Sequence, residues 1–172
     1  MALKTTYTDG GKTTEGFAHE HNDCGVRALA IAAAIPYSEA HGLLKAEGRR
    51  DRKGTKANWI ISAMRKSGIQ AEEITVRDPK LHWYGGNSYT NPTLAEIIRA
   101  HQTGRYLVIV NGHALAMIDG VIHDKGEIAG ARSRVRMMYR VTPKTQETAQ
   151  PQITQGQINE LWERMNRLAA KL

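Results

Sequence analysis

The chain predicts an α+β domain with helices first and an antiparallel sheet after them. Three observations carry this. Apolar residues recur at helical spacing between Asn22 and Gly68. Alternating patterns dominate from Arg105 to Val141, and the Asp119-Gly120 pair between apolar runs signals a hairpin. Helical and strand patterns thus fall mostly in separate halves, as in α+β folds.

In chain order, residues 1–16 are polar and Thr-rich and read as a flexible lead-in. A helix is expected from Asn22 to Ile35, capped by Asn22 or Asp23 and closed by Pro36. It is apolar nearly all round except at Arg27, so it should lie inside the protein. Ser38 is the expected cap of a second helix reaching Glu47. Thr55 starts a third, with Trp59, Ile60, Ala63 and Met64 at helical spacing and Gly68 as its stop. Ile69 to Val76 alternates as a strand does. Residues 78–92 form a loop rich in Gly, Pro and aromatics, and Thr93 to His101 is a fourth helix. The strongest strand signal is the run Arg105–Ile118, followed by the Asp119-Gly120 turn and a second strand, Val121–Asp124. From Arg132 to Val141 an apolar set (Ser133, Val135, Met137, Tyr139, Val141) alternates with Arg132, Arg134, Arg136, Met138 and Arg140, as a strand with one apolar and one basic face. The domain therefore spans residues 17–141. A polar linker covers 142–154, and 155–172 forms an amphipathic helix with Ile158, Leu161, Trp162, Met165 and Leu168 on one stripe.

A chain of 172 residues is about one domain, and 41% hydrophobic with 24% charged residues is ordinary for a soluble protein. No apolar run approaches the roughly 20 residues of a membrane-spanning helix, which argues against membrane partners. The polar N-terminus lacks a signal-peptide core, and one cysteine permits no internal disulfide. Both point to the cytoplasm. The net charge of +7 favours acidic partners, among them nucleic acid.

The chemistry centres on that cysteine. A thiol attacks as the thiolate, and a helix N-terminus stabilises the anion through its free N–H groups and dipole. Cys24 sits where the first helix begins, and Gly25 beside it leaves approach to the sulfur open. A histidine must then take the thiol proton and return it to the leaving group. If Asp119-Gly120 is a two-residue turn, Ala116 pairs with His123 and Leu115 stands opposite Asp124. His113 and Asp124 then share a face as diagonal neighbours, roughly 7–8 Å apart and within side-chain reach. Asp119 lies too far from His113, and His123 points to the other face. One hairpin delivers a His113–Asp124 pair.

The run Asp23-Cys24-Gly25-Val26-Arg27-Ala28-Leu29 resembles the nucleophile segment of the bacteriocin-leader-processing peptidases, a papain-like (C39-like) family. Gly54-Thr55 leading to Ala63–Ile69 resembles the next helix and strand entry of that fold. Gly112–Met117 and Asp124 resemble its histidine strand and final acid. The resemblance spans about residues 22–124 in the family's order. It implies a papain-like fold, the nucleophile helix packed on an antiparallel sheet, and a cysteine peptidase with the triad Cys24, His113 and Asp124. No cofactor is implied. The family's oxyanion glutamine, six residues before the cysteine, is replaced by Ala18. His19, Asn22 or backbone N–H groups are the candidates to take over its role.

Other features carry weaker expectations. Trp83, Tyr84 and Tyr89 are candidates for a substrate wall. Arg132, Arg134 and Arg136 are candidates for anion binding, or else guard an edge strand. Arg49–Lys53 reads as a solvated loop with nucleic-acid contact as the alternative, and the basic stretch Arg49–Lys56 is what the binding reading would use. His19, His21 and Cys24 have metal-ligand types, but no second cluster supplies a fourth ligand, so no metal is expected. The C-terminal helix covers core surface, or docks on a partner or a second copy. The sequence as a whole reads as a thiol hydrolase acting on peptide or isopeptide bonds through an acyl-enzyme. The alternative is a catalytically inactive papain-like fold serving as a basic module that binds nucleic acid or protein.

Overall fold

In a computed structural model, residues 3–76, 91–126 and 130–143 are described. The elements run β1 (Thr5–Tyr7), α1 (Cys24–Ala33), α2 (Tyr37–Ala46), α3 (Ala57–Lys66), β2 (Ala71–Glu73), α4 (Leu94–Ala100), β3 (Arg105–Val110), β4 (His113–Ile118), β5 (Val121–Asp124) and β6 (Val135–Val141). The six strands form one open sheet in the order β1-β5-β4-β3-β6-β2. The loop bearing Trp83, Tyr84 and Tyr89, most of the linker and the C-terminal helix lie outside the described residues. Among the described residues no helix is long and apolar enough to cross a membrane.

Apolar character on every side puts α1 at the centre of the helical layer, with all but Cys24 and Ile31 buried. It packs on β3, β4 and β5 and against α2 and α3. Pro36 forbids its continuation, and Ala34 turns into the left-handed region (φ 53°) to close it. Its N-cap is Asp23, but the aspartate side chain does not cap the helix. That carboxylate is drawn inward by buried cations, as described below.

Two expected caps are replaced. Helix α2 starts at Tyr37, after Pro36, and the carboxylate of Glu15 caps it from outside, accepting from the N–H groups of Tyr37 and Ser38 (both 2.8 Å) and from Ser38 Oγ (2.6 Å). Pattern reading cannot find a cap supplied from 22 residues upstream. Helix α3 starts at Ala57, with Lys56 rather than Thr55 as N-cap. Helix α4 follows its sequence signal: Thr93 and Glu96 form a reciprocal capping box.

The same Glu15 contact corrects the lead-in expected over residues 1–16. Thr5–Tyr7 pair in parallel with β5, and Lys12 is buried, so much of this segment belongs to the domain. Because β1 is parallel to β5, the sheet is mixed rather than purely antiparallel.

The apolar run from Arg105 breaks in the middle. Asn111-Gly112 makes a second two-residue turn, with Val110 paired to His113 and Gly112 at φ 73°, so β3 and β4 form a hairpin of their own. Asp119 (φ 48°) and Gly120 (φ 72°) turn β4 into β5 with both residues left-handed, and Ala116 pairs with His123, as the two-residue turn dictates.

Alternation along the strands separates two cores. Leu107, Ile109, Ala114 and Ala116 face α1, α2 and α3, whereas Val108, Leu115, Met117 and Ile122 cluster on the opposite face with Leu94 and Ile97 of α4. Strand β6 departs from the expected two-faced pattern. Val110 pairs with Val135 but Ile109 pairs with Met137, leaving Arg136 as the extra residue of a bulge. Alternation therefore changes phase: Met138 is buried, Met137 is exposed, and no single basic face exists. Nor is β6 an edge, since it lies between β3 and β2.

Candidate active site

Packing α1 across the hairpin sets its N-terminus beside the end where β4 begins and β5 finishes. Cys24, His113 and Asp124 are the terminal residues of these three elements, and they meet. His113 Nε2 lies 2.5 Å from Asp124 Oδ2. The other ring nitrogen, Nδ1, is left free of Asp124, and the Cys24 thiol and the imidazole line the same cleft. Asp119 instead accepts from the Gly104 N–H in its turn (2.8 Å), and His123 lies near Arg105.

The electrostatics of the three groups favour an ion pair. Burial pushes the Cys24 thiol up, but hydrogen bonds from His113 and the Ala114 N–H and the charges of His113 and Arg27 outweigh it, so its pKa falls below 9.0. His113 is raised from 6.5 to about 9, first by its bond to Asp124 and then by its bond to Cys24, against the opposing effect of burial. Asp124 is 4% exposed. Burial would raise its carboxyl, yet bonds from His113, the Lys125 N–H and Arg27 hold it below 3.8.

A buried chain of charges supports the acid. Arg27, the one charged residue of α1, reaches Asp124 Oδ1 through Nη2 (3.2 Å) and Asp23 through Nη1. Asp23 Oδ2 accepts from the Tyr37 hydroxyl (2.9 Å) and stands 3.4 Å from Lys12 Nζ, which also donates to the Glu20 carbonyl. Buried charges persist only when paired in this way. The sequence signal for Arg27 is a lone cation in an apolar helix and for Asp23 its place as cap candidate before Cys24; Tyr37 and Lys12 give none.

The thiol and imidazole open onto two adjoining depressions. One, of about 390 Å³, is polar and includes Lys12, His21, Asn22 and Lys125. The other, of about 410 Å³, is more apolar, with Ile60, Ile109 and Met137, and the bulge directs Arg136 to its rim. Arg136 also donates to Asn111 Oδ1 of the β3–β4 turn (3.2 Å). Asn22, held at φ 51° and donating to the Arg52 carbonyl (3.2 Å), is on the cleft wall. His19 is not: it faces a separate depression beside His41.

Other sequence candidates fall elsewhere. The three arginines form no common patch: Arg132 is exposed, Arg134 donates to the Asn91 carbonyl (2.8 Å), and Arg136 is at the cleft. Arg49, expected in a solvated loop, is buried on Glu20 (2.7 Å). His19, His21 and Cys24 do not assemble, because His19 and His21 open onto different depressions. Gly25 serves packing rather than access: a Cβ there would meet Thr55 Cβ at 2.8 Å and Ile60 Cδ1 at 3.1 Å.

Compared with models of known families, with curated proteins and with solved structures, the chain matches none.

Proposed function

We propose that this chain is a papain-like thiol hydrolase that cuts peptide or isopeptide bonds through an acyl-enzyme. The observation that carries the reading is the Cys24–His113–Asp124 relay beside an open cleft, with the thiol lowered and the imidazole raised. A thiolate beside an imidazolium is the reactive form of such a pair. Burial or fold support alone would require neither shift.

In this mechanism the Cys24 thiolate attacks the carbonyl carbon, and the C=O electrons move onto oxygen. Since the Asp23 carbonyl takes the Val26 and Arg27 N–H groups, the N–H groups of Cys24 and Gly25 at the start of α1 are the backbone donors offered to that oxygen. Asn22 and Lys12 are the side-chain donors on the same wall. His113 gives its proton to the departing amine as the C–N bond breaks, leaving the thioester. Water then adds, His113 takes its proton, and the C–S bond breaks to release the acid and the thiolate. Asp124 fixes the imidazole with Nε2 toward itself, and Arg27 fixes Asp124.

Against the alternative of a basic nucleic-acid module stands the scatter of the basic residues: Arg49 is buried, and Arg134 and Arg136 serve separate partners. A nucleic-acid titration at low salt checks this directly, because binding through phosphates weakens steeply as salt rises.

The test of the hydrolase reading is iodoacetamide labelling across pH, in wild type and His113→Ala. Fast labelling at pH 6 that collapses in the variant is expected. Equal, slow labelling of both would reduce Cys24 to a packing residue. Cleavage of a peptide library, lost in Cys24→Ala, then fixes the reaction class.

A further inference from the structure

On the far side of Glu20 from the cleft lies a second group of ligand-type side chains. His41 of α2 is 7% exposed, and its Nε2 has no hydrogen-bond partner. It faces two carboxylate oxygens, Glu20 Oε1 at 3.7 Å and Asp51 Oδ1 at 3.5 Å. One ligand atom from each of the three lies within 4.8 Å of the others. At these separations the nitrogen makes no hydrogen bond to either oxygen. Four ligands about 2.1 Å from a tetrahedral ion stand about 3.4 Å apart, close to the spacing found here.

We infer that Glu20, His41 and Asp51 form a binding site for a divalent transition cation of the zinc type, placed to pin the segment before Cys24 to α2 and the following loop. The inference does not depend on the hydrolase reading. Its support is the division of labour at each carboxylate. Glu20 gives Oε2 to Arg49 Nη2 (2.7 Å), and Asp51 gives Oδ2 to Lys45 Nζ (3.0 Å). The remaining oxygen of each is turned to His41. The Arg52 N–H also donates to Glu20, at 3.2 Å to Oε1 and 3.1 Å to Oε2, and both contacts persist when a cation takes a second lone pair of Oε1. Outer cations of this kind orient carboxylate ligands, as partners beyond the ligands do in metal sites. They also offset part of the anionic charge, so affinity falls below that of a thiolate site.

The imidazole is held by the ring of Phe17, 4.9 Å between centroids, which fixes the direction of Nε2. Exposed His19 opens onto the same depression and is the candidate fourth ligand. Glu20 connects the site to the cleft, since its backbone carbonyl accepts from Lys12 while its carboxylate serves the ion.

The test uses the full chain in a Cys24→Ser background, so that the thiol cannot supply a competing site. Zinc is titrated while the melting temperature is followed, and cobalt(II) is titrated while its visible absorption is followed. One equivalent should bind, and a hundredfold excess over Kd should raise Tm by about 5–10 °C. Asp51→Asn, at an exposed position, should weaken cobalt binding more than about 100-fold, since losing even an outer partner costs 10–100-fold. His41→Gln should abolish the cobalt spectrum. Absence of stoichiometric binding overturns the proposal. So does one-equivalent binding that survives in Asp51→Asn with its spectrum intact, because the ligands would then lie elsewhere. Asp51→Asn keeps the test decisive if His41→Gln does not fold.

Discussion

Arg27 Nη2 donates to Asp124 Oδ1 at 3.2 Å, joining α1 to the last residue of the hairpin across 97 positions of sequence. The same guanidinium holds Asp23, so one cation bridges two buried carboxylates. Arg27→Met would leave both anions paired only through their remaining partners. Breaking a buried pair by removing one member costs about 3–5 kcal/mol, so a drop of that size is expected in urea unfolding. Asp124→Asn removes the acid but keeps the shape. It should also lower stability, since Arg27 and His113 both lose their buried anion, and it should lower kcat of the proposed reaction by about 10³–10⁴-fold through loss of the imidazole's orientation.

The pH dependence of the proposed activity follows from the two shifts. Below the lowered Cys24 value the thiolate is protonated; above about 9 His113 loses the proton it must deliver. A bell-shaped kcat/KM profile is expected, its alkaline limb near pH 9, with both limbs belonging to the coupled pair. In Asp124→Asn the alkaline limb should move to lower pH, because the Asp124 bond is the largest cause raising His113. An alkaline limb that stays in place would remove Asp124 from the relay.

Stability against pH separates the two members of that pair. A raised histidine contributes stability that is complete below 6.5 and is lost as pH rises through about 9. A lowered thiol has the opposite sign: its contribution is complete above 9.0 and is lost as pH falls through the folded value. Where the folded state holds the imidazolium and the thiolate together, the two proton counts cancel and wild-type stability is nearly flat. Cys24→Ser deletes the thiol contribution and keeps the His113–Asp124 bond. Its urea midpoint should fall as pH rises above 6.5 while that of wild type holds. Parallel curves would mean that the thiol keeps its proton in the folded protein.

Gly25 predicts a packing effect close to Cys24. A methyl group there would press on Thr55 and Ile60, forcing α1 away from the start of α3. Overpacking of this kind costs about 1–3 kcal/mol, and Gly25→Ala should lower stability by that amount. Cys24 moves with the helix, so thiol labelling at pH 6 should slow in parallel.

The relay was legible because its parts obey local rules. A two-residue Asp-Gly turn fixes the β4–β5 register, and register decides which acid meets His113. Cys24 at a helix start followed from the apolar run and from the cap candidates Asn22 and Asp23 just before it. Hidden features were those set by tertiary partners. Lys12 and Glu15 lie in a polar stretch with no periodicity, yet one enters the cleft wall and the other caps α2. The bulge at Arg136 interrupts an alternation that looks regular, because the register shift lies in how β6 pairs with β3 and not in the side-chain pattern of β6 alone. Asn111-Gly112 was a legible turn inside an apolar run long enough to read as one strand.

Lys12 gives the sharpest test of the cleft's polar wall. It is 3% exposed, and two of its three N–H donors are directed at the Glu20 carbonyl and at Asp23. Lys12 lines the same depression as Cys24, which makes its ammonium a donor to test against the proposed oxyanion. Lys12→Met keeps the buried stem and removes the donor. If Lys12 stabilises the oxyanion, kcat should fall by about 10²–10³-fold with little change in KM, the loss expected for one such donor. Lys12→Arg should recover part of it. If Lys12 only neutralises Asp23, the methionine variant lowers Tm and leaves kcat near wild type.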